Sequence, residues 1–332
     1  MQKSLSLEKG LCSPLETKEY CGVEIPWRLK DDAQFARGGL FDLSFWGTIQ
    51  MTGPDVVDYL QRMSTVDFKK LGVNAVAAGA FLTGRGGVVS LGYFERLEKG
   101  VCVHAPHHLI NTTLEHIEKF HFAENFTAAV LLESSFLGVY APKTPVLGLS
   151  APRLTSEWRT QPVTLVTLGE KTNRGWWDLA RENLFWVRIE PQDFSAATRQ
   201  LVGAGFPLLG GEVFEFLRIE AGVPQVPGEL GETDIVLEGG CDWVVARNKG
   251  CYPGQEVVER IFTYGSVNRK LMKMKLSAMP AAVPQTVGPV TIVAAARRPD
   301  DQNEILGLAF VPKAQWENRQ PWRQEGLEVT PR

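Results

Sequence analysis

Asn248-Lys249-Gly250-Cys251-Tyr252-Pro253-Gly254-Gln255-Glu256 packs two glycines, a proline, a lysine and a cysteine into nine residues. Glycines flanking the Cys-Tyr-Pro run predict a tight turn. From Gln255 to Thr263 the chain predicts a helix, on which Glu256 and Arg260 stand four apart and share a face. Cys251 then falls just ahead of a helix N-terminus and two residues after Lys249. The helix end and the ammonium both favour a thiolate. The same residues also fit a plainer role, with glycines that build a turn and a cysteine that packs as a small apolar group.

The flanks extend the pattern. Upstream, Leu217-Arg218-Ile219-Glu220-Ala221-Gly222-Val223-Pro224 closes a predicted helix, Glu212 to Gly222, whose Val213, Phe214, Leu217 and Ala221 keep helical spacing. Arg218 and Glu220 lie off that stripe. Downstream, Val257-Val258-Glu259-Arg260-Ile261 continues the second helix, and Gly265-Ser266-Val267-Asn268-Arg269-Lys270-Leu271 follows. Short alternating runs come next: Leu271 to Leu276, Val290 to Ala295, Ile305 to Val311 and Leu327 to Thr330. They predict a small β-barrel.

Toward the N-terminus, Phe41 to Thr52 alternates as one strand, and Gly53-Pro54-Asp55 opens a helix with Pro54 near its first position. Val56, Val57, Leu60 and Met63 form its apolar face. Ala78 to Leu82 and Val88 to Phe94 predict a hairpin across Thr83-Gly84-Arg85-Gly86-Gly87. Val101 to Ala105 is a further strand and His107 to Phe120 a helix. Strands are expected at Thr127 to Leu132, Leu137 to Tyr140, Val163 to Leu168 and Phe185 to Ile189, with a helix from Pro191 to Ala204 closed by Gly205. Residues 1–37 are polar and yield no assignment.

Composition sets the bounds. A length of 332 residues predicts two or three domains. A net charge of −3 gives no reason to expect nucleic-acid or anionic-membrane binding. The cysteines, Cys12, Cys21, Cys102, Cys241 and Cys251, are odd in number, scattered and free of any CxxC. They argue against a disulfide framework, a zinc ribbon or a ferredoxin-type cluster. Met1 to Gly10 has no apolar run, so no signal peptide or membrane span is expected and a reducing cytoplasm is. All five histidines, His104, His107, His108, His116 and His121, fall in one stretch. Their spacing forms no HExxH, and His108 and His116 are two helical turns apart, so a metal site is not expected. The nine tryptophans include Trp176-Trp177 and Trp186, which flank a predicted hairpin around Ala180 to Asn183 and read as core anchors.

Lys249-Gly250-Cys251-Tyr252-Pro253-Gly254-Gln255-Glu256 resembles the KGCYxGQE signature of the YgfZ family of folate-binding, iron–sulfur-related proteins, similar in fold to the aminomethyltransferase (T-protein) of the glycine cleavage system. Leu217 to Pro224 resembles that family's LRIEAGxP. Gly39-Leu40-Phe41-Asp42-Leu43-Ser44 and Thr52-Gly53-Pro54-Asp55 resemble the opening of the superfamily, so the likeness runs from about Gly38 onward. It implies an α+β fold, with two α/β portions and a C-terminal β-barrel around a central folate pocket. The portions are expected at about 1–130, 131–265 and 266–332, with interleaving allowed.

The resemblance also ranks residues. It implies that Cys251 is a functional thiol with Lys249 as its neighbour. His104, Arg218, Glu220, Tyr252, Gln255, Glu256 and Arg260 become candidates for folate contact or for the motif itself. His104, taken to close the strand Val101-Cys102-Val103, stands where the aminomethyltransferase resembles an asparagine that faces the pterin. In the same comparison Ser90 and Leu91 stand where the transferase resembles an aspartate pair needed for transfer, and leucine cannot hold a proton or stabilise a cationic intermediate. The expected function is a folate-binding factor supporting iron–sulfur cluster assembly or repair, and through it cluster enzymes such as those that modify tRNA. The expected partners are tetrahydrofolate or a related reduced folate and iron–sulfur enzymes or assembly proteins, with no direct nucleic-acid contact and no membrane. The alternatives are a folate-dependent aminomethyl transferase, which Leu91 opposes, and a catalytically empty scaffold, which the intact cysteine motif opposes.

Overall fold

A computed structural model describes residues 2–131, 134–142, 158–168, 171–181, 183–317 and 320–332. The fold is α+β, as expected, with one three-stranded and three six-stranded sheets. Among the described residues the α-helices are α1 (Leu5–Glu8), α2 (Val56–Met63), α3 (His107–Lys119), α4 (Phe194–Gly203), α5 (Gly211–Ala221) and α6 (Gln255–Tyr264). The chain divides into two compact units that interleave in sequence. The first comprises Met1–Phe81, Ser90–Gly211 and Trp243–Tyr252; the second comprises Leu82–Val89, Glu212–Asp242 and Pro253–Arg332.

Two six-stranded sheets carry the first unit. One runs in the spatial order Thr164–Leu168, Lys171–Trp177, Leu184–Ile189, Ser135–Tyr140, Gly39–Asp42 and Leu208–Leu209. Only its last pair is parallel. The other runs Thr160–Pro162, Ala75–Leu82, Val88–Leu97, Gly100–Pro106, Trp46–Thr52 and Thr127–Val130. Aromatic side chains from both sheets share one core. Trp176 and Trp186 oppose each other on neighbouring strands and are fully buried. Trp46 stacks on Tyr93 at 5.5 Å and meets Trp186 edge-on at 4.8 Å. Such ring pairs add to the large apolar area that each ring removes from water. The Trp176/Trp186 hairpin therefore serves as a core anchor, as its sequence predicts.

The second unit is built on the C-terminal sheet, ordered Gln285–Val287, Val290–Arg298, Asp301–Pro312, Arg269–Leu276, Leu327–Pro331 and Trp322–Gln324. Gln285–Val287 returns beside Trp322–Gln324 and Leu327–Pro331, so the sheet nearly closes into the expected barrel. On Arg269–Leu276, Leu271, Met274 and Leu276 are buried while Lys270, Lys273 and Lys275 are exposed. That near-alternation follows from side chains pointing to opposite faces of a strand. The tip of the predicted glycine hairpin, Leu82–Val89, belongs to this unit. It is held by Val88 N–H to Gly231 O at 2.9 Å and Val236 N–H to Gly86 O at 3.1 Å. A Cβ at Gly87 would lie 1.8 Å from the Glu232 carbonyl oxygen, so only glycine fits there.

Three expectations need correction. Phe41 to Thr52 is two strands, Gly39–Asp42 and Trp46–Thr52, in different sheets. The Asp42 carboxylate accepts from Ser44 N–H at 3.0 Å, Ser44 Oγ at 2.6 Å and Ser6 N–H at 2.6 Å. This local turn bends the chain despite its apolar alternation. Pro54 precedes α2, whose capping residue is Asp55. Residues 1–37, without assignment from sequence, contain α1, a 3-10 helix at Asp32–Arg37 and a sheet of Gln2–Lys3, Val23–Arg28 and Glu16–Tyr20. The predicted strand Thr127 to Leu132 is seen as Thr127–Val130; residue 132 lies outside the described residues. No helix among the described residues is long and apolar enough to cross a membrane.

Candidate functional site

The thiol loop is organised by Lys249. Asn248 (φ 59°) and Gly250 (φ 99°) both take the left-handed conformation, so the chain turns on either side of it. Lys249 is buried, and its ammonium donates to the carbonyl oxygens of Gln61 and, at 2.7 Å, of Ser64. These carbonyls end α2, where helical acceptors lack partners and the helix dipole favours a cation. The Gln61 carboxamide returns the contact, donating to the Lys249 carbonyl oxygen at 2.6 Å. The ammonium also lies 4.9 Å from the centre of the buried Tyr252 ring. Burial pulls the Lys249 ammonium down to about 8, against the opposing pull of Asp67 and Cys251. Cys251 itself is exposed. All five cysteines are thiols.

The two glycines of the motif differ. Gly250 needs its left-handed backbone, but a Cβ there would meet nothing within 4 Å. Gly254 caps α6 at φ 80°, and a Cβ there would lie 2.7 Å from Thr83 O and 2.8 Å from Gly86 Cα. We expect Gly250→Ala to cost about 1–2 kcal/mol, the strain of a left-handed non-glycine residue. Gly254→Ala should cost clearly more, because backbone atoms must also move. Denaturant melts of the two variants check this, and equal losses would refute the distinction. Beyond Gly254, the predicted helix is α6, and Glu256 and Arg260 pair across one exposed turn at 2.8 Å. Gln255 is half-buried at its first position.

His104 lies inside the strand Gly100–Pro106 rather than at its end, which corrects the expected boundary. It is fully buried. Its Nδ1 is 3.0 Å from Thr48 Oγ1, its Nε2 is 3.3 Å from Glu95 Oε2, and its ring stacks on Trp176 at 5.3 Å. Burial holds the imidazole below its usual range, although Glu95 pulls the other way. A neutral ring with the proton on Nε2 satisfies both contacts, since Thr48 can donate to Nδ1. Glu95 is the hub. Arg174 Nε and Arg188 Nη1 both donate to it, the latter at 2.8 Å, and Arg188 also lies 3.5 Å from Cys102 Sγ. Burial pushes this carboxyl up, but the His104 hydrogen bond and the charges around it prevail and hold it at about 2. Burial raises the Cys102 thiol to about 11.

Ser90 is buried and takes a 2.8 Å hydrogen bond from the Thr113 hydroxyl of α3; Leu91 is buried as well. In the second unit, Arg218 of α5 is buried between Glu215 and Glu229, with Glu229 Oε1 2.7 Å and Oε2 2.8 Å from its guanidinium. Its Nη1 also donates to Val223 O. Glu220 is held elsewhere: its carboxylate lies 3.5 Å from Arg332, and its carbonyl accepts from Lys273 at 3.1 Å. The first unit therefore brings Lys249, Cys251 and Tyr252 together, with His104 in the core of its sheets. Arg218, Glu220, Gln255, Glu256 and Arg260 belong to the second. Sequence reading missed Gln61, Glu95, Arg174, Arg188 and Glu229. A glutamate directly after the apolar run Val88 to Phe94 was the one available signal, since a charge on such a strand demands partners when buried. Among the described residues no group of three or more His, Cys, Asp or Glu side chains could hold a metal ion.

No protein-family model matches the chain. It is 27% identical over 331 residues to an aminomethyltransferase of Rubrobacter xylanophilus, covering 94% of this chain and 82% of the relative. With an aminomethyltransferase of Lysinibacillus sphaericus it is 28% identical over 264 residues, 73% of this chain and 70% of the relative. The chain is homologous to the aminomethyltransferase superfamily. A chloroplastic protein of Arabidopsis thaliana, provisionally named a transferase, is 23% identical over 254 residues. The match takes in 71% of this chain but only 56% of that protein's length. The aminomethyltransferase fold is evident in structure too. The glycine cleavage system aminomethyltransferase T from Bartonella henselae superposes with a TM-score of 0.82 over 99% of this chain and 96% of that one, at 16% identity.

Proposed function

We propose that the chain is a folate-binding protein of the aminomethyltransferase kind. The observation that carries this reading is the alignment with an aminomethyltransferase along 94% of the chain. A pterin requires a few fixed polar partners in an otherwise apolar pocket. His104 and Arg218 are both deeply buried and committed to carboxylates of the protein. We therefore read each as a structural residue of its own unit rather than as a ligand contact. Calorimetry and thermal shift with tetrahydrofolate should give heat and a rise in Tm; neither signal at millimolar ligand would end the reading.

Two chemistries are compatible with folate binding, and different observations favour them. The names of the relatives support one-carbon transfer. The residues of the chain support the other reading, a folate-dependent factor that sustains iron–sulfur enzymes, tRNA-modifying ones included, in the cytoplasm. Ser90 and Leu91 occupy the positions that resemble the transferase's aspartate pair, and Cys251 is an exposed thiol in a motif that resembles the YgfZ signature. Neither Ser90 nor Leu91 can carry charge for a cationic intermediate. Mixed with the other glycine-cleavage components, the protein should show no aminomethyl transfer, and Cys251→Ser should abolish support of iron–sulfur enzymes without unfolding the chain. Turnover near that of a genuine T-protein would instead establish the transferase reading.

A further inference from the structure

Gln61 sits in the last turns of α2, with 8% of its surface exposed. A carboxamide is buried at a cost unless its oxygen and nitrogen find partners. Here the oxygen accepts from the Phe68 N–H at 2.6 Å. The nitrogen donates to the Lys249 carbonyl at 2.6 Å and lies 3.3 Å from the Asp67 carboxylate. The main-chain carbonyl of the same residue receives the Lys249 ammonium. One residue thus grips Lys249 at both its backbone and its side chain, two residues before the exposed Cys251.

We propose that Gln61 is the positioning residue of the Cys251 thiol, fixing the backbone that presents the sulfur and the place of the Lys249 ammonium. The inference rests on reading Cys251 as a functional thiol. Charged and aromatic groups around the ammonium come from two segments. They are Asp67, itself paired with Lys70 at 3.3 Å, the sulfur of Cys251, and the ring of Tyr252. Loss of the Gln61 donor leaves the Lys249 carbonyl unpaired in a buried setting, and the loop must move to satisfy it.

The test is the rate of iodoacetamide alkylation at Cys251, read by peptide mass from pH 6 to 9, with Tm recorded beside it. At pH 7 we expect Gln61→Met and Lys249→Met each to slow alkylation about threefold or more, equivalent to moving the profile by roughly half a pH unit. The double variant should be no slower than the singles. A Gln61→Met profile that overlays the wild type overturns the proposal, even if Tm falls, because a purely structural glutamine would lower Tm alone. Should Gln61→Met fail to fold, Gln61→Glu keeps the acceptor for Phe68, removes the donor to Lys249 and reads the same profile. Full support of iron–sulfur enzymes by Cys251→Ser would remove the functional role of the thiol. It would leave the alkylation result standing, so the two failures are distinct.

Discussion

Replacing Glu95 by glutamine should destabilise the chain by about 3–5 kcal/mol, the loss typical when one member of a buried ionic network is removed. Arg174 and Arg188 are directly opposed on neighbouring strands, and Glu95 is the carboxylate that both of them meet. Without its charge, two guanidiniums are left on directly opposed residues, and like charges so placed repel. Acid should act in the same direction. The Glu95 carboxyl ionises at about 2 in the fold against its ordinary 4.5, so its stabilisation is complete above 4.5 and lost as pH falls toward 2. His104, held neutral by burial, adds a loss that begins as pH drops below 6.5, where the unfolded chain takes up the proton first. Urea melts of wild type and Glu95→Gln between pH 7 and pH 2.5 check both statements. A variant that keeps the wild-type acid dependence between 4.5 and 2 would refute the assignment.

A comparable loss, again about 3–5 kcal/mol, is expected for Arg218→Met. Glu229 is buried, and burial already raises its carboxyl against the pull of Arg218. Removing the guanidinium pushes it further up. The variant must therefore bury a charge or take up a proton, and its deficit should shrink as pH is lowered. Arg218→Lys should recover less than half of the loss, because an ammonium cannot reproduce the fork that meets both oxygens of Glu229. An Arg218→Met midpoint within about 0.5 kcal/mol of wild type would place the residue among ordinary surface positions.

Local chemistry was legible where it also decides the outcome. The glycines of Thr83 to Gly87, the caps of α6 and the alternation on Arg269–Leu276 each specify their geometry within a few residues. Asp42 defeated the period-two reading because its turn depends on Ser44 and on Ser6, a residue 36 positions away. The sheet near the N-terminus was illegible for a related reason. Four of the five residues of Glu16–Tyr20 are exposed, so the strand has no apolar face to show, and Gln2–Lys3 pairs in parallel with a strand 21 residues on. At the site, the sequence marked Cys251 and Lys249 but could not reveal that the lysine faces the end of α2. Gln61 gives no signal at all, because a polar residue on an amphipathic helix reads as a solvated one. Glu95 and its arginines come from three strands, and a spacing-based search does not join them.

The interleaving of the two units has a consequence for synthesis on the ribosome. The last piece of the first unit is Trp243–Tyr252, the segment that carries Lys249 and Cys251. A nascent chain therefore cannot complete that unit when its first 211 residues have emerged. Every strand of its two sheets has by then been made, but the unit lacks its last segment until Tyr252 leaves the exit tunnel. At about 5–20 residues per second, the wait between Gly211 and Tyr252 is roughly 2–8 s. During that interval the end of α2 has no Lys249 to cap it, and hydrophobic surface stays open to chaperones. The thiol is thus installed in the same event that completes the unit, and a chain truncated before residue 243 should emerge as a client for holdases rather than as a stable half-protein.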